Sequence, residues 1–419
     1  MRSEIKITAL FLLILPILLL ASCKVGDDQG IAEGAHVATE HGVLPENSGE
    51  ENSRNLQKLI DSLTSTGGVV YIPEGEYAFA ANGTQTIGSH CIKMRSNVSI
   101  VGAGEETVLL PEGESKYGLD MFYFNDYLDT GKDAYLENCR FEDFVIDAKA
   151  TSCETYTSAG KGFMFNLFRD CHWEGVTVKN TDATGFGVDC PIDSSIKNCI
   201  AIGCGKAANE ENGGASGFGI GFGYSDGESL TISDCTASDN KKFGFFFEHQ
   251  GRFNSEMYSA EESHDFLVKS CTASGNLYNF GGIYAMSTEY LECKSESAKK
   301  YGFYFENSLV SGALSCESLG DGEAAFAISQ LGEYEAREIS FADCAASNVP
   351  VGVSISTDTA NSITDILIKN CEFTSIKDYT VYTSGDIRSL TLSGNGSDNA
   401  SNRFDGEIET LDNRGNSWD

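Results

Sequence analysis

The sequence predicts an all-β solenoid, a stack of short strands wound rung on rung. Three observations carry that prediction. First, one short pattern returns along the chain: Gly185-Phe186-Gly187-Val188-Asp189, Gly217-Phe218-Gly219-Ile220-Gly221, then Phe243-Gly244-Phe245-Phe246-Phe247-Glu248-His249-Gln250. It continues as Gly281-Gly282-Ile283-Tyr284-Ala285 and Gly302-Phe303-Tyr304-Phe305-Glu306, and more weakly at Ala325 to Ser329 and Gly352 to Ser356. Second, another strand type ends on a cysteine, usually behind a short polar residue, as in Asn198-Cys199, Asp234-Cys235 and Ser270-Cys271. Third, 45 glycines against 6 prolines suit many tight turns between short strands.

A strand sends successive side chains to opposite faces. The second and fourth positions of the pattern therefore form one apolar column pair: Phe186/Val188, Phe218/Ile220, Phe245/Phe247, Phe303/Phe305, Phe326/Ile328 and Val353/Ile355. That face points inward. The fifth position points outward and reads Asp189, Gly221, Glu248, Ala285, Glu306, Ser329, Ser356. Three acids thus share one outward column with small residues between them.

Cys139, Cys171, Cys199, Cys235, Cys271, Cys293, Cys316, Cys344 and Cys371 follow one another at 32, 28, 36, 36, 22, 23, 28 and 27 residues. A bare coil of about 22 residues with loops of varying length accounts for these spacings. The longest insertions, around residues 205–216 and 251–264, fall beside the acidic column, where loops on a rigid solenoid build binding walls. Stacked equivalent cysteines lie about 4.8 Å apart, which admits a disulfide, but the reading favours buried thiols acting as small apolar groups. Pairing among Cys190, Cys199 and Cys204 is left open. No Cys-x-x-Cys pair or histidine cluster suggests zinc.

At the N-terminus, Arg2 and Lys6 precede an apolar run from Ile7 to Leu20, the pattern of a secretory signal over residues 1–22. Leu20-Ala21-Ser22-Cys23 resembles a bacterial lipobox, which implies lipidation of Cys23 and an exported, membrane-anchored protein at the cell surface or outer membrane. Residues 23–48 read as a polar tether. Ser53 is read as the N-cap of a helix whose Leu56, Leu59, Ile60 and Leu63 share a face. Residues 49–115 form an N-terminal cap and first coils, 116–390 the solenoid, and 391–419 a last coil and capping tail.

The helix is followed by Gly67-Gly68-Val69-Val70-Tyr71-Ile72-Pro73-Glu74-Gly75-Glu76-Tyr77 and by Asn97-Val98-Ser99-Ile100-Val101-Gly102-Ala103-Gly104. Helix and segments together resemble the N-terminal cap of the pectin lyase-like superfamily. The resemblance implies a right-handed parallel β-helix with an N-terminal capping helix, and it implies a carbohydrate-active protein. Asn180-Thr181-Asp182 is similar to the Asn-Thr-Asp of polygalacturonases, and Phe243-Gly244-Phe245 with Glu248-His249 resembles an element of mannuronan epimerases. For a pectate lyase the resemblance implies a calcium cluster and an Arg or Lys base, for which Arg252 and Arg140 are the candidates.

The chain carries 62 acidic and 29 basic residues, a formal charge of -33. That argues against nucleic acid or an anionic membrane surface as partner, and against an acidic polysaccharide held by charge alone without a bridging cation. The resemblance implies a polysaccharide or oligosaccharide as the partner. Membrane contact runs through the lipid anchor only. Asp189 and Glu248 sit two rungs apart, about 9.6 Å between backbones, as do Glu248 and Glu306. Side-chain reach brings either pair toward the roughly 6.5–9.5 Å separation of an inverting glycosidase. The catalytic candidates are Asp189, Glu248, Glu306 and His249; the substrate-binding candidates are Phe246, Tyr304, Tyr224, Arg252 and Asn307. Glycines 187, 219 and 221 are expected to leave an open floor for a sugar ring. No cofactor is required by the sequence, and a role for calcium is left open. A glycoside hydrolase is the leading reading. A uronate lyase or epimerase, and a non-catalytic carbohydrate-binding adhesin, are the alternatives.

Overall fold

Every strand pairing among the described residues is parallel, and each strand pairs with its equivalent one coil earlier and one coil later. The computed structural model describes residues 34–81, 89–115, 118–131, 134–154, 156, 159–209, 215–250, 263–358, 363–398 and 401–418. Their winding is a right-handed parallel β-helix in two sheets of 26 and 14 strands. Each typical coil has three strands. Phe218–Phe222, Phe243–His249, Tyr278–Ile283 and Tyr301–Glu306 belong to the first face. Ser229–Ser233 and Asp265–Lys269 belong to the second, and Thr236–Ser238 and Thr272–Ser274 to the third.

The inward column is a stack of rings. Phe122, Phe163, Phe186, Phe218, Phe245, Phe280, Phe303 and Phe326 follow one another with centroids 4.7–5.4 Å apart and near-parallel planes. All eight are fully buried. The coil spacing sets the ring spacing, so each phenylalanine covers the faces of two others. This column corrects the predicted register at one rung. Phe280 is the partner of Phe245, and Ile283 rather than Ala285 lies beside Glu248 and Glu306. Gly281-Gly282 imitates the start of the repeat but occupies its third and fourth positions.

Seven of the nine repeat cysteines, Cys199 to Cys371, mark the corner between the second and third faces. Cys139 and Cys171 correct the predicted ladder: they pair with each other at the start of the second face, and Phe144 and Val176 hold the later corner in their coils. The residue before each cysteine, Asn138, Asp170, Asn198, Asp234, Ser270, Glu292, Ser315, Asp343 and Asn370 in turn, has φ between +49° and +55°. Short polar side chains tolerate that left-handed conformation best, which is why Asn, Asp and Ser recur there. The turn drives the next side chain inward, and Phe144, Val176 and Asn395 hold the same buried corner in other coils. The ladder cysteines are buried, and all thirteen described cysteines are free thiols. Their sulfurs accept the amide of the preceding coil at 3.3–3.4 Å in the Cys199/Cys235, Cys235/Cys271 and Cys293/Cys316 pairs.

The N-terminal end is capped by helix α1 (Gly49–Ser62). Its N-cap is Ser48, not Ser53: the Ser48 hydroxyl accepts the Glu51 amide at 3.3 Å. Ser53 lies on the buried face and donates to the Ala80 carbonyl at 2.7 Å. Part of the segment read as tether belongs to this cap. His36–Val37 adds a strand to Gly68–Tyr71, and Ala38 and Val43 are buried in the core. Apolar side chains at positions 38 and 43 cover the end of the solenoid that α1 leaves open.

Phe247 is fully buried between Phe266 and Tyr290. Its truncation to alanine is expected to cost about 3–5 kcal/mol in a denaturant titration. A loss below about 1 kcal/mol would contradict this inward register.

Candidate functional site

Two of the predicted acids open into one cleft on the first face. It measures about 90 Å³ and is lined by Tyr156, Lys161, Thr184, Asp189, Phe246, Glu248 and Gln250 around Gly187, Gly219 and Gly221. Asp189 and Glu248 are outward residues on strands Phe186–Ile192 and Phe243–His249. Gly221 lies between them, in register with Glu248, and its N–H donates to Asp189 Oδ1 at 2.8 Å.

The glycines do not form an open floor. Neighbouring side chains lie over them. A Cβ at Gly187 would sit 3.1 Å from Lys161 Nζ and closer still to its Cδ, and one at Gly219 would touch the Thr184 methyl at 3.0 Å. A Cβ at Gly221 would lie 2.6 Å from Asp189 Oδ1 and collide with the Gln250 amide. Glycine at these positions lets Lys161, Thr184 and Gln250 fold across the sheet toward the two acids.

Lys161 is the residue that the sequence reading missed. It stands two residues before the inward Phe163, and its N–H donates to the buried Asp120 at 2.8 Å. The signal was present: Gly160-Lys161-Gly162-Phe163-Met164-Phe165 is another rung, with Phe163 and Phe165 as its inward pair.

Burial pushes the Glu248 carboxyl up to about 7. The negative charge of Asp189 adds to the rise, while Lys161 and Lys242 oppose it. Glu248 therefore releases its proton only near neutral pH, well above an ordinary carboxyl, beside a second carboxylate and a lysine.

The remaining candidates lie elsewhere. His249 is inward and fully buried against Phe222 and His264, because alternation turns it away once Glu248 points out. Glu306 lies two rungs beyond Glu248, where it accepts the Tyr304 hydroxyl at 2.5 Å, and it is absent from the cleft lining. Tyr304 and Phe246 are not exposed platforms. They are 7% and 3% exposed, in a cluster with Phe243 and Ala327 onto which Tyr278, Ile283 and Tyr301 pack. Only Phe246 of that cluster reaches the cleft. Asn307 is a buried corner residue at φ +48° whose side chain accepts the Leu331 amide at 2.8 Å. Tyr224 is exposed on the turn after Phe218–Phe222, outside the cleft lining. Arg140 is on the second face, 3.9 Å from Glu142. Cys23 and Arg252 lie outside the described residues.

A larger depression of about 670 Å³ lies on the second face over Leu267, Glu289, Gly312 and Ser340. It shares no residue with the cleft, and its Glu338 is paired with Arg337. The raised carboxyl lies in the smaller space, and the chemistry is read from there. Among the described residues no cluster of three His, Cys, Asp or Glu side chains is arranged to hold a metal.

A family model described as rhamnogalacturonase A/epimerase, pectate lyase-like, matches residues 38–303. The chain belongs to that family. The matched stretch of this rhamnogalacturonase A/epimerase-type chain contains the whole cleft and stops before Glu306. Comparison with curated proteins returned no match. Among solved structures the chain is similar to the A-module of the Azotobacter vinelandii mannuronan C-5 epimerase AlgE6, with a TM-score of 0.69 at 17% identity over 91% of this chain and 98% of that one. It is also similar to the tailspike of E. coli bacteriophage HK620 in complex with a pentasaccharide, TM-score 0.61 and 12% identity over 90% and 79% of the two chains. A GH87 α-1,3-glucanase catalytic domain in complex with tetrasaccharides gives 0.62 and 13% over 90% and 68%. At these identities the likeness is one of fold.

Burial also raises Asp120 and Asp321 to about 6 and Glu228 to about 7. For an acid raised in the folded state, the unfolded chain releases its proton first. Stability is then fully present below about pH 4 and is lost as pH rises through about 6–7. Thermal unfolding is expected at lower temperature at about pH 8 than at about pH 5, with Glu248→Gln reducing that difference. An unchanged pH dependence in the variant would contradict the raised carboxyl.

Proposed function

We propose that this chain is a polysaccharide-active enzyme that hydrolyses a glycosidic bond with Glu248 as general acid and Asp189 as general base. The observation that carries this is the pairing itself: Asp189 and the half-buried Glu248 line one small cleft, and Glu248 keeps its proton to a higher pH than an ordinary carboxyl. Glu248 gives its proton to the leaving oxygen as the C–O bond breaks. Asp189 takes a proton from water as the water oxygen bonds the anomeric carbon. Lys161 supplies a cationic donor for a substrate oxygen at the edge of the pair. Family membership supports the carbohydrate substrate class.

Lys161 also favours a second reading, cleavage or epimerisation of a uronate. A lysine beside the acids can hold the sugar carboxylate while a base removes the neighbouring carbon-bound proton. Glu248 would then protonate the leaving oxygen in a lyase.

A polysaccharide panel, run with and without calcium on residues 24–419, separates these. New reducing ends without ultraviolet absorbance are expected, together with loss of turnover in Glu248→Gln by about 10²-fold or more. Unsaturated, absorbing product would move the assignment to the lyase, and altered uronate signals in NMR without cleavage would move it to an epimerase. Binding without any product would favour an adhesin. Wild-type turnover in Glu248→Gln would end the acid assignment.

Export and acylation at Cys23 are proposed from the sequence of residues 1–23 alone. Radiolabelled fatty acid is expected to label the wild-type chain in bacteria and not Cys23→Ala.

A further inference from the structure

Each acid of the cleft is followed by a residue that turns inward, and both inward side chains meet one buried polar cluster. Cys190 follows Asp189 at φ +58° and is 4% exposed. His249 follows Glu248 and is fully buried. At the centre lies Glu228, also fully buried. One of its oxygens accepts the Gly223 N–H at 2.5 Å, and the other accepts those of Tyr224 and Ser225 at 3.1 and 3.2 Å.

Cys190 is buried beside the same carboxylate, and burial together with the Glu228 charge pushes its thiol up. Asp189 itself accepts the Gly221 N–H at 2.8 Å, on the strand that runs into the Gly223 turn. His264 Nδ1 lies 3.7 Å from Glu228, and Phe222 packs against the rings of both His264 and His249. The His249 ring fills the space over Gly223, where a Cβ would collide with it. A continuous path therefore runs from Asp189 through Cys190, Glu228 and the Gly223 turn to His249 and Glu248.

We propose that Glu228 is a positioning residue that fixes the spacing of Asp189 and Glu248, by tying the backbone behind each acid to one buried turn. The proposal rests on the reading of those two acids as the working pair. It does not place Glu228 in contact with substrate. Three backbone amides alone would hold the turn. The Gly221–Asp189 bond and the buried Cys190 side chain join the coil of Asp189 to it. The titratable groups facing Glu228 are Cys190, His264 and, beyond it, His249; Cys190 also faces the Asp189 charge.

The test uses the full chain with Glu228→Gln, Cys190→Ala and Cys190→Ser. The titration of Glu248 is followed by NMR of ¹³C-labelled glutamate carboxyls, with Glu248→Gln giving the assignment. Glu228→Gln and Cys190→Ala are expected to move its midpoint by about half a pH unit or more, and Cys190→Ser, which keeps a donor, to restore it. An unmoved midpoint in all three overturns the proposal. If Glu228→Gln does not fold, the two Cys190 variants carry the same test. On a turned-over polysaccharide, Cys190→Ala is expected to lower kcat about tenfold with KM unchanged, and the serine variant to recover it. A shifted midpoint with wild-type kcat also overturns the positioning role. A shifted midpoint in a chain that hydrolyses nothing would sink the hydrolase reading while leaving the link between the two acids standing.

Discussion

The constraint behind the whole structure is the fixed step between stacked parallel strands. Because one coil follows another at that step, equivalent residues are forced into columns, and each column must suit its surroundings over many repeats. Inward columns satisfy this with phenylalanine rings stacked face to face and with cysteine thiols at the corner. Outward columns are free of the packing demand, so chemistry can be written there one residue per rung. The cleft uses that freedom: glycine in the middle rung, acids on either side of it, and a lysine brought in from an earlier rung.

Much of this was legible in the chain itself. The spacing of Phe186/Val188, Phe218/Ile220 and Phe245/Phe247 gave the inward face, and alternation then placed Asp189 and Glu248 outward on one side. From Cys199 onward the cysteine repeat gave the coil length; the step from Cys171 to Cys199 joins two different corners. What alternation could not reveal was register where a rung mimics itself, as at Gly281-Gly282, or which outward aromatics pack on one another. Phe243, Phe246, Tyr278 and Tyr304 stack together, an arrangement that depends on rungs from three coils. His249 illustrates the opposite error. The same alternation that turns Glu248 outward buries its neighbour, so a residue type familiar from active sites is here part of the core.

Lys161 was hidden for a different reason. Its side chain reaches along the solenoid to lie over Gly187, one coil away, so nothing in its own rung signals the acids it serves. The glycines were the better clue. Their role is to admit side chains from other coils, which is a statement about neighbours and not about the glycines themselves. Buried polar groups follow the same logic. Glu228, with its three backbone amides and the Cys190 thiol, gathers partners from separate coils, and each is unremarkable in isolation.

The rung that carries Gly221 has a wider meaning. Because coils are near-equivalent modules, the distance between Asp189 and Glu248 is counted in whole steps of about 4.8 Å. Losing that one coil would set the two acids side by side, near the roughly 5 Å spacing of a retaining glycosidase, and gaining one would carry them out of range of a single water. In such a scaffold a duplication or deletion of one coil, 27 to 32 residues here, acts as a vernier on reaction stereochemistry without altering either acid.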